Sequence, residues 1–159
     1  MSDDDILFET RGPLGLVTLN RPEQLNALTH EMARALDARL GAWEAHAGVK
    51  AIAIRGAGDK AFCAGGDIRR LYANGSERAV ESFAFFIDEY RLNARIKALK
   101  TPYLALLDGA VMGGGVGVSI HGRYRVGGDR LKFAMPEVGI GFIPDVGGAY
   151  FLPRITAPS

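Results

Sequence analysis

The chain has 159 residues, enough for one domain with a substantial core, and we read residues 1–159 as that single domain. Its 48% hydrophobic and 23% charged residues are those of a folded globular protein and exclude a disordered one. A net charge of +1 gives no field to draw nucleic acid or an anionic membrane, and no apolar run approaches the roughly 18 residues of a bilayer span.

In chain order, Ile6 to Thr10 and Leu14 to Leu19 are β-favouring runs parted by Gly12-Pro13, which predicts a hairpin. Asn20-Arg21-Pro22 breaks the second strand. Thr29 is placed to cap a helix whose apolar positions Met32, Leu36, Leu40 and Trp43 keep helical spacing to about Ala47. Val49 to Ile54 reads as a buried strand ended by the turn Gly56 to Asp59. A short helix is expected near Asp67 to Tyr72. A longer one follows from about Glu77 to Leu99, with Phe83, Phe86, Ile87, Tyr90 and Ile96 on its inner face. Pro102 opens an apolar strand, Tyr103 to Leu107, of the kind buried on both faces. A glycine-rich turn, a small-residue helix to about Ile120, strands near Tyr124 to Val126 and Lys132 to Ala134, and a helix from Val146 to about Leu152 complete the series. Strands alternating with helices place the fold in the α/β class.

Cys63 is the one cysteine, which excludes an internal disulfide framework; with no histidine near it in sequence it reads as a small packing residue. His30, His46 and His121 show no ligand spacing, so no metal site is expected. His121 reads as the residue that ends the helix after the glycine triplet, as an imidazolium facing the carbonyl dipole. The acidic start Met1-Ser2-Asp3-Asp4-Asp5 is unlike a basic presequence, and a cytoplasmic location is the expectation.

Three stretches carry chemistry. Ala61-Phe62-Cys63-Ala64-Gly65-Gly66-Asp67-Ile68-Arg69 puts two glycines between a strand and a helix. Asp108 to Gly117 runs a buried strand into Gly113-Gly114-Gly115 and then a helix. Such glycines serve as tight turns or as bare backbone whose N–H groups face a ligand, and two N–H groups converging from separate loops make an oxyanion hole. The third stretch, Phe133 to Gly148, sets Glu137 and Asp145 in apolar, glycine-rich surroundings that raise a carboxyl pKa. Glu137 reads as such an acid or as a solvated loop carboxylate, and Asp145 as an acid or as the N-cap of the helix at Val146.

These stretches, in this order, together with Asn20-Arg21-Pro22 and Leu25-Asn26-Ala27-Leu28, resemble the crotonase (enoyl-CoA hydratase/isomerase) superfamily over about residues 7 to 155. The resemblance implies a crotonase-like spiral of ββα units. It aligns the N–H groups of Gly66 and Gly114 with the donors that polarise an acyl-CoA thioester carbonyl. It assigns the CoA moiety to Gln24, Leu25 and the run Ala64, Gly65, Gly66, Asp67 and Ile68. The hydratases' first catalytic glutamate falls at Gly117, whereas Glu137 fills the second position and Asp145 follows where hydratases have a small residue. Glu137 with Asp145 in Met135-Pro136-Glu137…Pro144-Asp145-Val146-Gly147-Gly148 resembles the 3-hydroxyisobutyryl-CoA hydrolase branch, as does Phe85-Phe86-Ile87-Asp88-Glu89-Tyr90.

By that resemblance the reaction is hydrolysis of a short branched 3-hydroxyacyl-CoA, as in valine breakdown. Glu137, as nucleophile or as general base on water, and Asp145 are then the catalytic carboxylates, and Glu89, Gly114, Glu137 and Asp145 hold the substrate. No cofactor is implied, since coenzyme A belongs to the substrate. An enoyl-CoA hydratase or isomerase activity, and a catalytically silent acyl-CoA-binding subunit, are the alternatives. Arg69 and Arg70 read as CoA-phosphate contacts or as a solvated helix face. Superfamily members continue into a C-terminal helical region that this sequence lacks, so a homo-oligomer or a complementing C-terminal polypeptide is an expected partner, with no nucleic acid and no membrane.

Overall fold

A computed structural model describes residues 5–67 and 79–154. The chain opens with the antiparallel hairpin β1 (Ile6–Arg11) and β2 (Leu14–Leu19), turning at Gly12, whose φ of +57° suits glycine. A single turn of 3-10 helix at Pro22–Gln24 leads to α1 (His30–Ala45). Thr29 caps α1 as its spacing predicts, the hydroxyl accepting from Met32 N–H, and Met32, Leu36, Leu40 and Trp43 form its buried stripe.

The rest is a ββα rhythm. β3 (Ala51–Gly56) and β4 (Ala61–Cys63) precede α2 (Ala79–Ala98). β5 (Tyr103–Leu107) and β6 (Ala110–Met112) precede α3 (Gly114–Ile120), and β7 (Tyr124–Gly127) and β8 (Lys132–Ala134) close the third turn. The first strand of each pair joins one sheet, ordered β1-β2-β3-β5-β7, and the second joins another, ordered β4-β6-β8. Successive turns stack in parallel, with Ile52 opposite Tyr103, Leu104 opposite Tyr124 and Ala110 opposite Lys132. This is the spiral of ββα units that the family resemblance implies. Turns of 3-10 helix at Pro136–Ile140 and Leu152–Arg154 flank the short α4 (Gly148–Phe151).

The core lies between α1, α2, α3 and the sheets, with Val17, Leu19, Leu36, Ile52, Ile54, Phe62, Leu92 and Val111 fully or almost fully buried. Cys63 sits inside it, its thiol pushed up to about 12 by burial, in keeping with a packing role.

Four local expectations are corrected. The inner face of α2 is Phe85, Glu89, Leu92, Asn93 and Ile96; Phe83, Ile87 and Tyr90 are exposed. Two polar residues interrupt that stripe, so counting apolar positions rotates the helix. β5 is buried on one face only: Tyr103, Ala105 and Leu107 point inward while Leu106 is exposed, as are Tyr124 and Val126 on neighbouring β7. The last helix begins at Gly148, two residues late, because Val146 and Gly147 both have positive φ. His121 does end α3, but burial pushes its pKa down and its Nε2 lies 2.8 Å from Val146 O, so it is a neutral imidazole rather than an imidazolium. The short helix expected near Asp67 to Tyr72 lies, but for Asp67, outside the described residues, as do Ile68, Arg69 and Arg70.

Candidate active site

All three chemistry-bearing loops leave the same edge of the smaller sheet. β4, β6 and β8 run parallel with Cys63 opposite Val111 and Met112 opposite Ala134, so the segments after Cys63, Met112 and Ala134 emerge side by side at the strands' carboxyl ends. The first carries Ala64, Gly65 and Gly66, the second Gly113 and Gly114, the third Met135, Pro136 and Glu137.

The first two loops touch through their glycines. A Cβ on Gly114 would lie 3.3 Å from Gly66 N and 2.5 Å from Glu89 Oε1, and one on Gly113 would lie 2.9 Å from Glu137 Oε1. Gly113 also has φ of +47°, so its lack of a side chain is required twice over. Leu28 N–H donates to Gly65 O (2.8 Å) and Asp67 N–H donates to Leu28 O (3.0 Å), a bridge that fixes the backbone on either side of the Gly66 N–H. Gly114 is the first residue of α3, where N–H groups have no partner within the helix. The backbone N–H groups of Gly66 and Gly114 therefore lie near each other at the carboxyl ends of β4 and β6.

The expected CoA-binding residues are also joined. Ala64 N–H donates to Leu25 O (3.0 Å), and Arg21 Nη2 donates to Asp67 Oδ2 (3.1 Å). Leu25 and Asn26 both take left-handed backbone. Asn26, fully buried, holds this bend: its Oδ1 accepts from Arg21 N–H (2.9 Å) and its Nδ2 donates to Ala57 O (2.9 Å) and Ala61 O (2.8 Å). Gln24 closes the 3-10 turn just before it, and the Leu25 side chain is exposed.

Glu89, Glu137 and Asp145 face one cavity of about 460 Å³, whose walls include Gly66, Gly114, Phe85 and Phe142. Phe142 stacks on Phe86, ring centroids 5.8 Å apart, forming an apolar side. Glu89 is 2% exposed; burial, then the charges of Asp145 and Glu137, push its pKa up to about 8, so it is a carboxylic acid at neutral pH. Burial likewise raises Glu137, with help from the Asp145 charge. Asp145 is raised by burial and held back by Tyr90, whose hydroxyl donates to Oδ2 at 2.9 Å. Gly147 occupies the N-cap of α4, so Asp145 caps nothing with its side chain, and Glu137 is buried rather than a solvated loop residue.

The sequence reading missed Tyr90 as Asp145's partner and Asn93 as a buried amide. The signal was present: Glu89 and Asn93 lie four apart, on one helical face. Opposite Asn93, a Cβ on Gly117 would come within 2.9 Å of Asn93 Nδ2 and of Val146 Cγ1, so no side chain projects from that position.

The family model described as enoyl-CoA hydratase/isomerase matches residues 14–158. The chain belongs to the enoyl-CoA hydratase/isomerase family. It is 50% identical over 151 residues to a protein of Danio rerio named 3-hydroxyisobutyryl-CoA hydrolase, mitochondrial, covering 95% of this chain and 40% of that one. The Homo sapiens protein of the same name is 49% identical over 154 residues, covering 96% and 39%. The chain thus spans about 40% of the length of the curated relatives it matches. Solved structures of the family superpose closely. A carnitinyl-CoA dehydratase from Mycobacterium thermoresistibile has a TM-score of 0.93 at 50% identity, covering 98% of this chain and 46% of that one. An enoyl-CoA hydratase from Rhodobacter sphaeroides has 0.89 at 42%, covering 94% and 45%. Among the described residues no helix is long and apolar enough to cross a membrane.

Proposed function

We propose that the chain hydrolyses the thioester of a short branched 3-hydroxyacyl-CoA, 3-hydroxyisobutyryl-CoA in the first instance, to the hydroxy acid and free CoA. The observation that carries this reading is the convergence of Glu89, Glu137 and Asp145 on one cavity with Gly66 and Gly114, while Gly117 offers no further acid. Relatives about 50% identical and named for that hydrolysis support it.

In this scheme the Gly66 and Gly114 N–H groups bind the thioester carbonyl oxygen and hold the charge that develops on it. The Glu137 carboxylate attacks the carbonyl carbon, the C–S bond breaks, and water hydrolyses the resulting anhydride; in the alternative route Glu137 takes the proton of an attacking water. Glu89, a neutral acid, and Asp145 hold the acyl hydroxyl, or Asp145 gives a proton to the departing thiolate. Side chains and water suffice, and the scheme uses no metal or redox cofactor. We also expect the chain to assemble with a second copy of itself and to act in the cytoplasm.

The dehydratase named among the solved structures favours a second reading, in which Glu137 acts as a base toward the acyl chain and the thioester survives. Product analysis after incubation with 3-hydroxyisobutyryl-CoA separates the two. Free thiol and the hydroxy acid support hydrolysis; an intact, dehydrated acyl-CoA overturns it.

A further inference from the structure

Asp145 is held from two helices. Its carboxylate accepts from Tyr90 on α2, and its backbone is held from α3. Asp145 O accepts from Gly148 N–H (2.6 Å), closing a turn whose two central residues, Val146 and Gly147, both have positive φ. Turns of that kind normally take Gly, Asn or Asp at both central places. A β-branched residue in one keeps its backbone only where the surroundings impose it.

The α3 helix imposes it at two points. Gly117 and His121 lie four residues apart, on one face of the helix. A Cβ on Gly117 would come within 2.9 Å of Val146 Cγ1, so the bare backbone there is the seat of the valine side chain. One turn on, His121 Nε2 lies 2.8 Å from Val146 O. A carbonyl only accepts, so the ring proton sits on Nε2 and is donated to it. The ring has little freedom: it packs edge-on against Phe151, centroids 4.7 Å apart, and its Cε1 lies 3.2 Å from where a Cβ on Gly147 would sit. Val146, itself buried, is thus gripped by side chain and by carbonyl, and Asp145 is the residue before it. The same helix begins at Gly114, so one element sets both the Gly114 N–H and the Asp145 backbone.

We propose that His121 is a positioning residue: together with Gly117 it holds Val146 in its left-handed conformation and so fixes the Asp145 carboxyl in the cavity that contains Glu137. The inference rests on the thioester reading for what Asp145 does, and on the geometry alone for where His121 puts it. Loss of the donor frees the Val146 peptide to leave its strained conformation, and the Asp145 carboxyl moves outward. Burial is the main cause of the raised Asp145 pKa, so a carboxyl that moves toward water titrates lower.

The test uses the full chain, His121→Phe, which keeps a ring against Phe151 and loses the donor, and His121→Gln, which keeps an N–H donor. The Asp145 carboxyl is titrated by carbon NMR in each. The kcat for thiol release from 3-hydroxyisobutyryl-CoA is measured in each, with Asp145 and with Asp145→Asn. In His121→Phe the Asp145 titration moves to lower pH and kcat falls by about tenfold, the worth of one hydrogen bond, while His121→Gln recovers both. In the Asp145→Asn background His121→Phe makes no further difference, because the route through Asp145 is already cut. An unchanged Asp145 titration in His121→Phe, or the same fall in kcat in both backgrounds, overturns the proposal and leaves His121 a packing residue. If His121→Phe does not fold, His121→Leu carries the same comparison, and failure of both to fold overturns it likewise. If the folded chain releases no thiol, the hydrolase reading fails, and the Asp145 titration alone decides the role of His121.

Discussion

Glu89 Oε1 lies 2.5 Å from where a Cβ on Gly114 would sit, so the acid on α2 and the first residue of α3 exclude any side chain between them. Gly114→Ala must therefore either displace the Glu89 carboxyl or move its own N–H away from Gly66. Loss of one donor of this kind lowers turnover by ~10²–10³-fold. Thiol release by Gly114→Ala, in protein shown to be folded by circular dichroism, is expected to fall in that range. Activity within a few-fold of the parent would remove Gly114 from the oxyanion hole.

The raised pKa of Glu89 makes a stability prediction. Its folded value, about 8, stands above its unfolded one, so its contribution is full at low pH and is lost as pH rises through 8. Glu89→Gln keeps the shape of the neutral acid and cannot ionise. Between pH 6 and pH 9, roughly bracketing that value, the parent should lose more Tm than Glu89→Gln. Equal losses in thermal melts would show that Glu89 is already ionised in the folded chain.

Tyr90 donates to Asp145 and so favours its charged form. Tyr90→Phe removes that donor, and the Asp145 pKa rises further. The alkaline limb of the pH profile of kcat/KM, set by the acid that must keep its proton, should move to higher pH, with the acid limb in place. A profile that keeps its alkaline limb would show that Asp145 does not govern it.

Asn26 ties the Leu25 bend together through Arg21 N–H, to the turn at Ala57 and to Ala61 in the strand before Gly65, with one hydrogen bond to each, and takes a left-handed backbone that asparagine tolerates. Asn26→Ala leaves two carbonyls and an N–H unpaired and should cost about 2–4 kcal/mol in chemical denaturation. A cost below about 1 kcal/mol would mean that water replaces the amide freely.

Much of this was legible in the sequence, for identifiable reasons. The Thr29 cap and the Met32, Leu36, Leu40 stripe follow local rules, and the glycine triplet after an apolar strand marks a backbone approach that alanine would block. The inner face of α2 was not legible: Glu89 and Asn93 are polar yet buried, so a reading by hydropathy turns the helix toward Phe83 and Ile87. Nor was the Tyr90–Asp145 bond, since 55 residues part the two and only the packing of α2 against the last loop brings them together. Val146 escaped for a similar reason. A β-branched residue at φ of +44° contradicts its own propensity, and the strain, ~1–3 kcal/mol, sits beside the acid it positions.

The most direct test of the central claim is thiol release from 3-hydroxyisobutyryl-CoA by the chain and by Glu137→Gln, with folding and CoA-analogue binding checked in both. The account predicts release by the parent and none above background in the variant, which still folds and binds. Release that persists in Glu137→Gln, or a folded and binding parent that releases no thiol, would contradict it.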